Sequence, residues 1–297
     1  MFPFTMSSMI AIQNAKPEEV EEAHKLFSLL FPSYTMTLHS FQSLLFCFPC
    51  RFAPRMLVAW YGNQMVGLAF GAGCEGCMYI QAIGVLPAYR QKGIGHALLA
   101  RLTQGYGSAR FSGTPFHYLV PGLDRELYPE GYAFFLHEGF GTEALAYAMR
   151  RGVEDCDTLP AGVVAMEETH FPSVLGICEL CGHPTWKESV VMGHAAGLKG
   201  VVFLTDGKVA GFSLYGFAEP DMCRFGPIGV DPAYRGRGIG HALVKGSLCM
   251  QKKSGCKYSF FLWGEEGSPA VGMYRRLGFQ CYSTQEILVR TEQIHTS

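Results

Sequence analysis

Arg235, Gly236, Arg237, Gly238, Ile239, Gly240 and His241 follow an apolar run that ends at Val230. These residue types suit an anion. Glycine lets a backbone come close to a ligand. Apolar or small residues at 239, 242, 243, 246 and 250 keep the helical period, so a helix begins as the cluster ends. The first N–H groups of a helix have no partner within it, and the helix dipole puts partial positive charge there. Arg235 and Arg237 add rigid cationic forks that match phosphate oxygens. Strand, glycine turn and helix start therefore read as a phosphate cradle. The spacing is R-x-x-G-x-G. A dinucleotide fingerprint would instead be G-x-G-x-x-G with an acid about 20 residues on.

The cradle occurs twice. Residues 83–99 and 228–244 share 13 of 17 positions at an offset of 145, close to half of the 297-residue chain. A repeat of that density implies a tandem duplication. The first copy runs from Val85 through Arg90, Gln91, Lys92, Gly93, Ile94 and Gly95, and His96 matches His241.

The elements that must position each cradle follow the same order in both halves. In the first, strands are expected over 10–15, 56–61, 65–70, 78–85, 116–120 and 143–150, with helices over 17–31, 38–46, 94–106 and 129–138. In the second, strands are expected over 162–167, 200–205, 209–215, 223–230, 258–263 and 280–290, with helices over 171–181, 187–196, 239–253 and 268–277. Ser268 has the type of an N-cap and Pro269 that of a first helical residue. Residues 151–160 are polar and turn-prone, and read as a linker between domains 1–150 and 161–297.

The loop with its preceding IGVDPAY, together with GMYRRLGF near the C-terminus, resembles the acetyl-CoA signature of the GNAT acetyltransferase superfamily. The resemblance covers both halves and is stronger over the second. It implies an α/β (α+β) chain of two GNAT acyl-CoA N-acyltransferase folds, each a mixed twisted sheet covered by helices. The two-copy layout is similar to that of superfamily members that acetylate a sugar-linked amine. Acetyl-CoA would be the cosubstrate and a primary amine of a small molecule the acceptor. Its pantetheine arm would lie beside the strand ending at Val230, against the backbone of Ile228 and Val230. A backbone N–H near Val230 would polarise the thioester. Tyr274, five residues before Phe279, would protonate the departing thiolate, a step worth roughly 10²–10⁴-fold. Phe135 stands at that place in the first half and has no proton to give, and Tyr132 is three positions early. The first half is thus expected to keep a cofactor loop without catalysing. Two other functions fit the same residues: a non-catalytic acyl-CoA sensor, and transfer of a longer acyl group to which Phe260, Phe261 and Trp263 would offer a lining. Glu219, Asp221, Glu265 and Glu266 flank strand ends and are candidate bases.

Composition narrows the rest. Basic and acidic side chains number 24 and 25, which argues against a general nucleic-acid binder. No apolar run reaches the roughly 18 residues a membrane span needs. Residues 1–10 lack the basic and apolar regions of a signal peptide. The 11 cysteines are therefore expected as reduced thiols in a cytoplasm. They include three C-x-x-C spacings, Cys47/Cys50, Cys74/Cys77 and Cys178/Cys181, none repeated in the other half; no metal is expected. Both a monomer and a homodimer suit two fused copies.

Overall fold

The computed structural model describes residues 10–111, 119–153, 158–182, 185–219 and 221–291. The first half runs β1 (Ile10–Asn14), α1 (Val20–Leu30), α2 (Leu38–Phe46), β2 (Ala53–Tyr61), β3 (Gln64–Cys74), β4 (Cys77–Val85), α3 (Ile94–Thr103), β5 (Ser108–Phe111), α4 (Pro129–His137) and β6 (Gly141–Gly152). The second half repeats that order: β7 (Val163–Ala165), α5 (Phe171–Leu180), α6 (Trp186–Ala195), β8 (Lys199–Thr205), β9 (Lys208–Glu219), β10 (Met222–Val230), α7 (Ile239–Lys253), β11 (Tyr258–Glu265), α8 (Pro269–Arg276) and β12 (Gln280–Thr291).

The chain forms two compact units, and their bounds differ from the sequence reading. One runs to Glu143 and resumes at Glu286; the other is Ala144–Gln285. The reason is that each half's last strand completes the other unit's sheet. In unit 1 the strands run β1-β2-β3-β4-β5, and β12 then pairs with β5 from Leu288↔Phe111 to Thr291↔Ser108. In unit 2 they run β7-β8-β9-β10-β11, and β6 then pairs with β11 from Glu265↔Ala146 to Tyr258↔Gly152. The expected linker is therefore strand at its start: Arg151 and Gly152 lie in that ladder, and the Val153 N–H donates to the Lys257 carbonyl at 2.8 Å. Within 151–160, residues 154–157 fall outside the described residues, as do 116–118 of the strand expected over 116–120. The strand after α3 is instead the four-residue β5, too short to show a period-2 pattern.

β4 with β5 and β10 with β11 pair parallel. Helices cover both faces, so β3 is buried from Met65 to Cys74 and reads as a continuous apolar run. In unit 2 one core joins α7 and α8 to Met149, Tyr215, Phe225 and Phe261, and another joins α5 and α6 to Val202, Phe212 and Leu214. The Ser268 hydroxyl accepts the Val271 N–H at 3.4 Å with Pro269 at the first helical position, as the sequence indicated.

The expectation of reduced thiols throughout is corrected. Cys223 on β10 and Cys256, just before β11, form a disulfide. These neighbouring strands place their Cα atoms 6.1 Å apart, within disulfide reach. The cysteines of the three C-x-x-C pairs are not in disulfides. Burial pushes the Cys178 thiol up to about 12, with a smaller contribution from Cys181. Among the described residues no three His, Cys, Asp or Glu side chains cluster as metal ligands would, and no helix is long and apolar enough to cross a membrane.

Candidate active site

β10 pairs with β9 along its length, up to Val230↔Gly211. Its pairing with β11 covers only Met222↔Tyr258, Cys223↔Ser259 and Arg224↔Phe260. After Arg224 the two strands part. The register of β10 shifts between Phe225 and Ile228, where Gly226 has φ 115° and the Gly226–Pro227 peptide is cis. A bulge bends the strand that carries it. The opening leaves one edge of β10 without a ladder over residues 225–230, so its amides can take the amide groups of an extended ligand. In unit 1 β4 pairs with β5 from Cys77↔Ser108 to Tyr79↔Arg110, and the residues that follow β5, 112–118, fall outside the described residues.

At the wide end of the β10–β11 gap lies the cradle. Asp231 caps a short 3-10 turn, Pro232–Tyr234, by accepting the Ala233 N–H at 2.9 Å. Gly236 (φ 78°) and Gly238 (φ 76°) then turn the chain into α7. Both angles lie in the left-handed region, which side chains other than glycine disfavour. Ile239 is buried, and a Cβ at Gly240 would stand 3.4 Å from the Met273 sulfur of α8. The free N–H groups of the helix start thus face outward from a loop fixed on both sides.

The predicted cationic residues divide their work. The Arg235 Nε donates to the Val230 carbonyl at 3.3 Å, and its Nη2 lies 3.6 Å from the Cys181 sulfur. The Val230 carbonyl also accepts from the Cys181 thiol at 3.6 Å. Arg235 therefore ties loop to strand, and the Val230 carbonyl is already engaged; Ile228 faces Ser213 of β9. Arg237 is exposed and lies over the Tyr234 ring at 5.3 Å. His241 titrates below the ordinary imidazole range because of partial burial, then because Lys245 and Arg276 stand nearby. Cys181 was noted from sequence only for its C-x-x-C spacing, and Lys245 and Arg276 were not singled out at all. The last two follow the loop by helical spacing or by proximity across α8, and only the fold brings them to His241.

Tyr274 is buried, its ring against Phe261 (4.4 Å), Phe225 (5.6 Å) and Phe279 (5.8 Å). Burial raises its phenol well above the usual tyrosine range, so it stays protonated. In unit 1 Phe135 fills the matching slot against Phe111 (4.8 Å) and Phe140 (5.0 Å). The Tyr132 hydroxyl is elsewhere, 3.5 Å from that of Thr142.

The first cradle keeps the geometry and changes the charge. The Arg90 Nε donates to the Val85 carbonyl at 3.0 Å, while Lys92 lies 5.2 Å over Tyr89. Gln91 takes φ 58° where unit 2 has glycine; Gly93 (φ 77°) precedes α3, which opens with Ile94 and Gly95. Arg90 is ion-paired to Glu130, and the His96 Nδ1 is 3.0 Å from the Glu138 carboxylate. Of the candidate bases, Asp221 lies at the far end of β10, tied to Lys257 at 2.9 Å. Glu266 is hydrogen-bonded to the Tyr147 hydroxyl, Glu265 is exposed, and the Glu219 side chain falls outside the described residues.

A strand that parts from its parallel neighbour and runs into a glycine-bearing helix start is the architecture expected of the GNAT fold. Comparison with known proteins agrees with it. The acetyltransferase (GNAT) family matches residues 21–110 and the acetyltransferase (GNAT) domain residues 198–281, one in each unit. The chain belongs to the GNAT acetyltransferase family and carries two of its domains in tandem. Two mycothiol acetyltransferases of Corynebacterium glutamicum strains are similar, at 34% identity over 80 residues and 37% over 81. Each match spans 27% of this chain and 27% of the relative's length. Among solved structures, a glucosamine N-acetyltransferase region of a fungal multi-domain β-N-acetylglucosaminidase aligns with 96% of this chain and 38% of its own, at TM-score 0.80 and 14% identity. A tandem GNAT protein from the clavulanic acid biosynthesis pathway aligns with 95% of this chain and 98% of its own, at TM-score 0.71 and 16% identity. At such identities these structures share the fold.

Proposed function

We propose that the chain transfers an acetyl group from acetyl-CoA to a primary amine of a small molecule, and that unit 2 does the chemistry. The observation that carries this reading is the opening of β10 from β11 toward the glycine loop at the start of α7. The gap takes the pantetheine arm along residues 225–230, with Ile228 and Val230 at its wide end. The pyrophosphate sits on the backbone from Arg235 through Gly236, Arg237, Gly238, Ile239 and Gly240 to His241. No metal takes part in this scheme. The neutral amine attacks the thioester carbonyl, the tetrahedral intermediate gives its surplus N–H proton to water, the C–S bond breaks as the sulfur leaves with a proton from Tyr274, and solvent returns a proton to the phenolate. A phenol raised by burial is still protonated at neutral pH, as this step requires. The similarity to mycothiol acetyltransferases supports an amine acceptor and covers too little of either chain to name it. Acetyl-CoA binding by calorimetry, and release of free CoA with a panel of amines, test the proposal. Binding without release for any amine would instead favour an acyl-CoA sensor. That second reading draws on the packing of Tyr274 among Phe225, Phe261 and Phe279, where Phe135 serves equally well in unit 1.

A further inference from the structure

We infer that Cys181 is a modification site: a CoA disulfide entering the opening between β10 and β11 exchanges with its thiol, and the mixed disulfide so formed shuts unit 2 to acetyl-CoA. The inference rests on the donor half of the reading above, that CoA occupies this opening, and not on the acetyl transfer.

Cys178 and Cys181 form the C-x-x-C pair at the end of α5, and their surroundings differ. Cys178 is buried in the core that α5 and α6 make over the sheet, and that burial lifts its thiol to about 12. Cys181 caps the helix, is half-buried and is in no disulfide. Its thiol donates to the Val230 carbonyl at 3.6 Å. The direction of that carbonyl fixes where the sulfur lies. The Asp231 N–H donates to the Ala210 carbonyl of β9 at 3.0 Å. In an antiparallel pair such residues alternate with ones whose N–H and C=O point away from the partner strand. Val230 therefore turns its carbonyl away from β9, toward the side on which β11 has parted from β10. The Cys181 sulfur lies on the wall of the opening that a pantetheine arm would enter.

The sulfur also meets a cation. The Arg235 Nη2, 3.6 Å away, complements the negative charge that an attacking sulfur carries. In the exchange the Cys181 thiol gives its proton to solvent and attacks one sulfur of the CoA disulfide. The S–S bond of that disulfide breaks, a bond from Cys181 to one CoA forms, and the other CoA leaves as a thiolate that takes a proton from solvent. A CoA disulfide carries a second nucleotide arm beyond its sulfurs. The narrow end of the opening is closed by the ladder that ends at Arg224↔Phe260, so the S–S bond stays nearer the mouth, at the level of Val230. Cys178 does not undo the product, because a thiol held so high by burial supplies little thiolate to displace the CoA. In unit 1 the residue that caps α1 is Phe31, which has no thiol, and the Val85 carbonyl accepts from Arg90.

The test treats the full chain with CoA disulfide and, in parallel, with glutathione disulfide, and reads the adducts by mass spectrometry of the intact protein and of its peptides. Cys181 is expected to take one CoA at a rate roughly tenfold or more above its reaction with glutathione disulfide, and saturating acetyl-CoA should slow the CoA reaction by a similar factor. Cys47, Cys50 and Cys281, exposed thiols of other elements, are internal controls and should show neither preference nor protection. Calorimetry should find acetyl-CoA binding lost in the modified protein and kept after the same treatment of Cys181→Ser, while Cys178→Ser should respond as the native chain does. Equal rates with the two disulfides, no protection by acetyl-CoA, or a CoA adduct at Cys181 that leaves acetyl-CoA binding intact overturns the inference. If the untreated chain binds no acetyl-CoA, the donor site and this inference fall together; if it binds acetyl-CoA and acetylates no amine, only the transfer reading falls.

Discussion

In unit 1 the glycine loop holds Arg90 against Glu130 and His96 against Glu138; in unit 2 the same places along α8 carry Pro269 or Ala270 and Leu277, and His241 faces Lys245 and Arg276 instead. Loop geometry is shared down to the arginine that ties loop to strand through Val85 or Val230. What differs is whether the cradle's positive charge is already answered by the protein. The Glu138 side chain is only 10% exposed. At a near-surface effective dielectric, a carboxylate about 6 Å from a phosphate repels it by roughly 3 kcal/mol, comparable to what a few backbone N–H groups gain. Duplication can thus conserve a binding shape while the flanking helix decides whether an anion is welcome. We propose that unit 1 leaves its cradle empty at working acetyl-CoA concentrations.

The sharpest break in the comparison is Tyr274→Phe. Phe135 shows that the slot accepts a phenylalanine ring. Stability should therefore hold to within about 1 kcal/mol, as for removal of one hydroxyl, while kcat falls by roughly 10²–10⁴-fold. An unchanged kcat would remove Tyr274 from the mechanism. The next effect is on stoichiometry. Calorimetry should find one acetyl-CoA per chain, and Glu130→Gln with Glu138→Leu should add a second site. Charge reversal should agree: Arg237→Glu weakens acetyl-CoA about tenfold or more, and Lys92→Glu leaves the affinity unchanged. A smaller effect concerns backbone strain. Gln91 occupies a left-handed conformation, so Gln91→Gly should stabilise unit 1 by about 1 kcal/mol and Gly236→Gln should cost unit 2 a similar amount, read from denaturant midpoints. The last is a pH effect. The Tyr274 phenol titrates above its usual value of 10.0, so burial of the neutral form contributes stability that is complete below that pH and fades as pH rises beyond it. Unfolding followed from pH 8 to 11 should show that decline in the native protein and a shallower one in Tyr274→Phe, the remainder belonging to Tyr79, Tyr128 and Tyr215, which burial also raises.

The loops, the duplication and the order of elements were legible because glycine spacing and apolar period are local signals. The Ser268 cap and the α7 boundaries belong with them. Three things were hidden because they depend on which strands meet. The four residues of β5 carry no period of their own. The exchange of β6 and β12 cannot be read from segments that look like ordinary closing strands. The Cys223–Cys256 pairing comes from the parallel neighbourhood of β10 and β11, where the sequence led to an expectation of reduced thiols. The tie from Arg235 to Val230 was missed for a related reason: an arginine beside glycines suggests phosphate, and only coordinates show its Nε turned back onto the strand.

The traded last strands have a consequence for ancestry and for engineering alike. A gene cut near residue 155 would encode two polypeptides, each ending in a strand fit for its sister and missing the one it needs. Neither fragment would be expected to stand alone, although the two mixed together should find each other and restore function. With that trade in place each copy supplies a strand that the other's sheet needs, which would give selection a reason to keep both halves whether or not both perform chemistry.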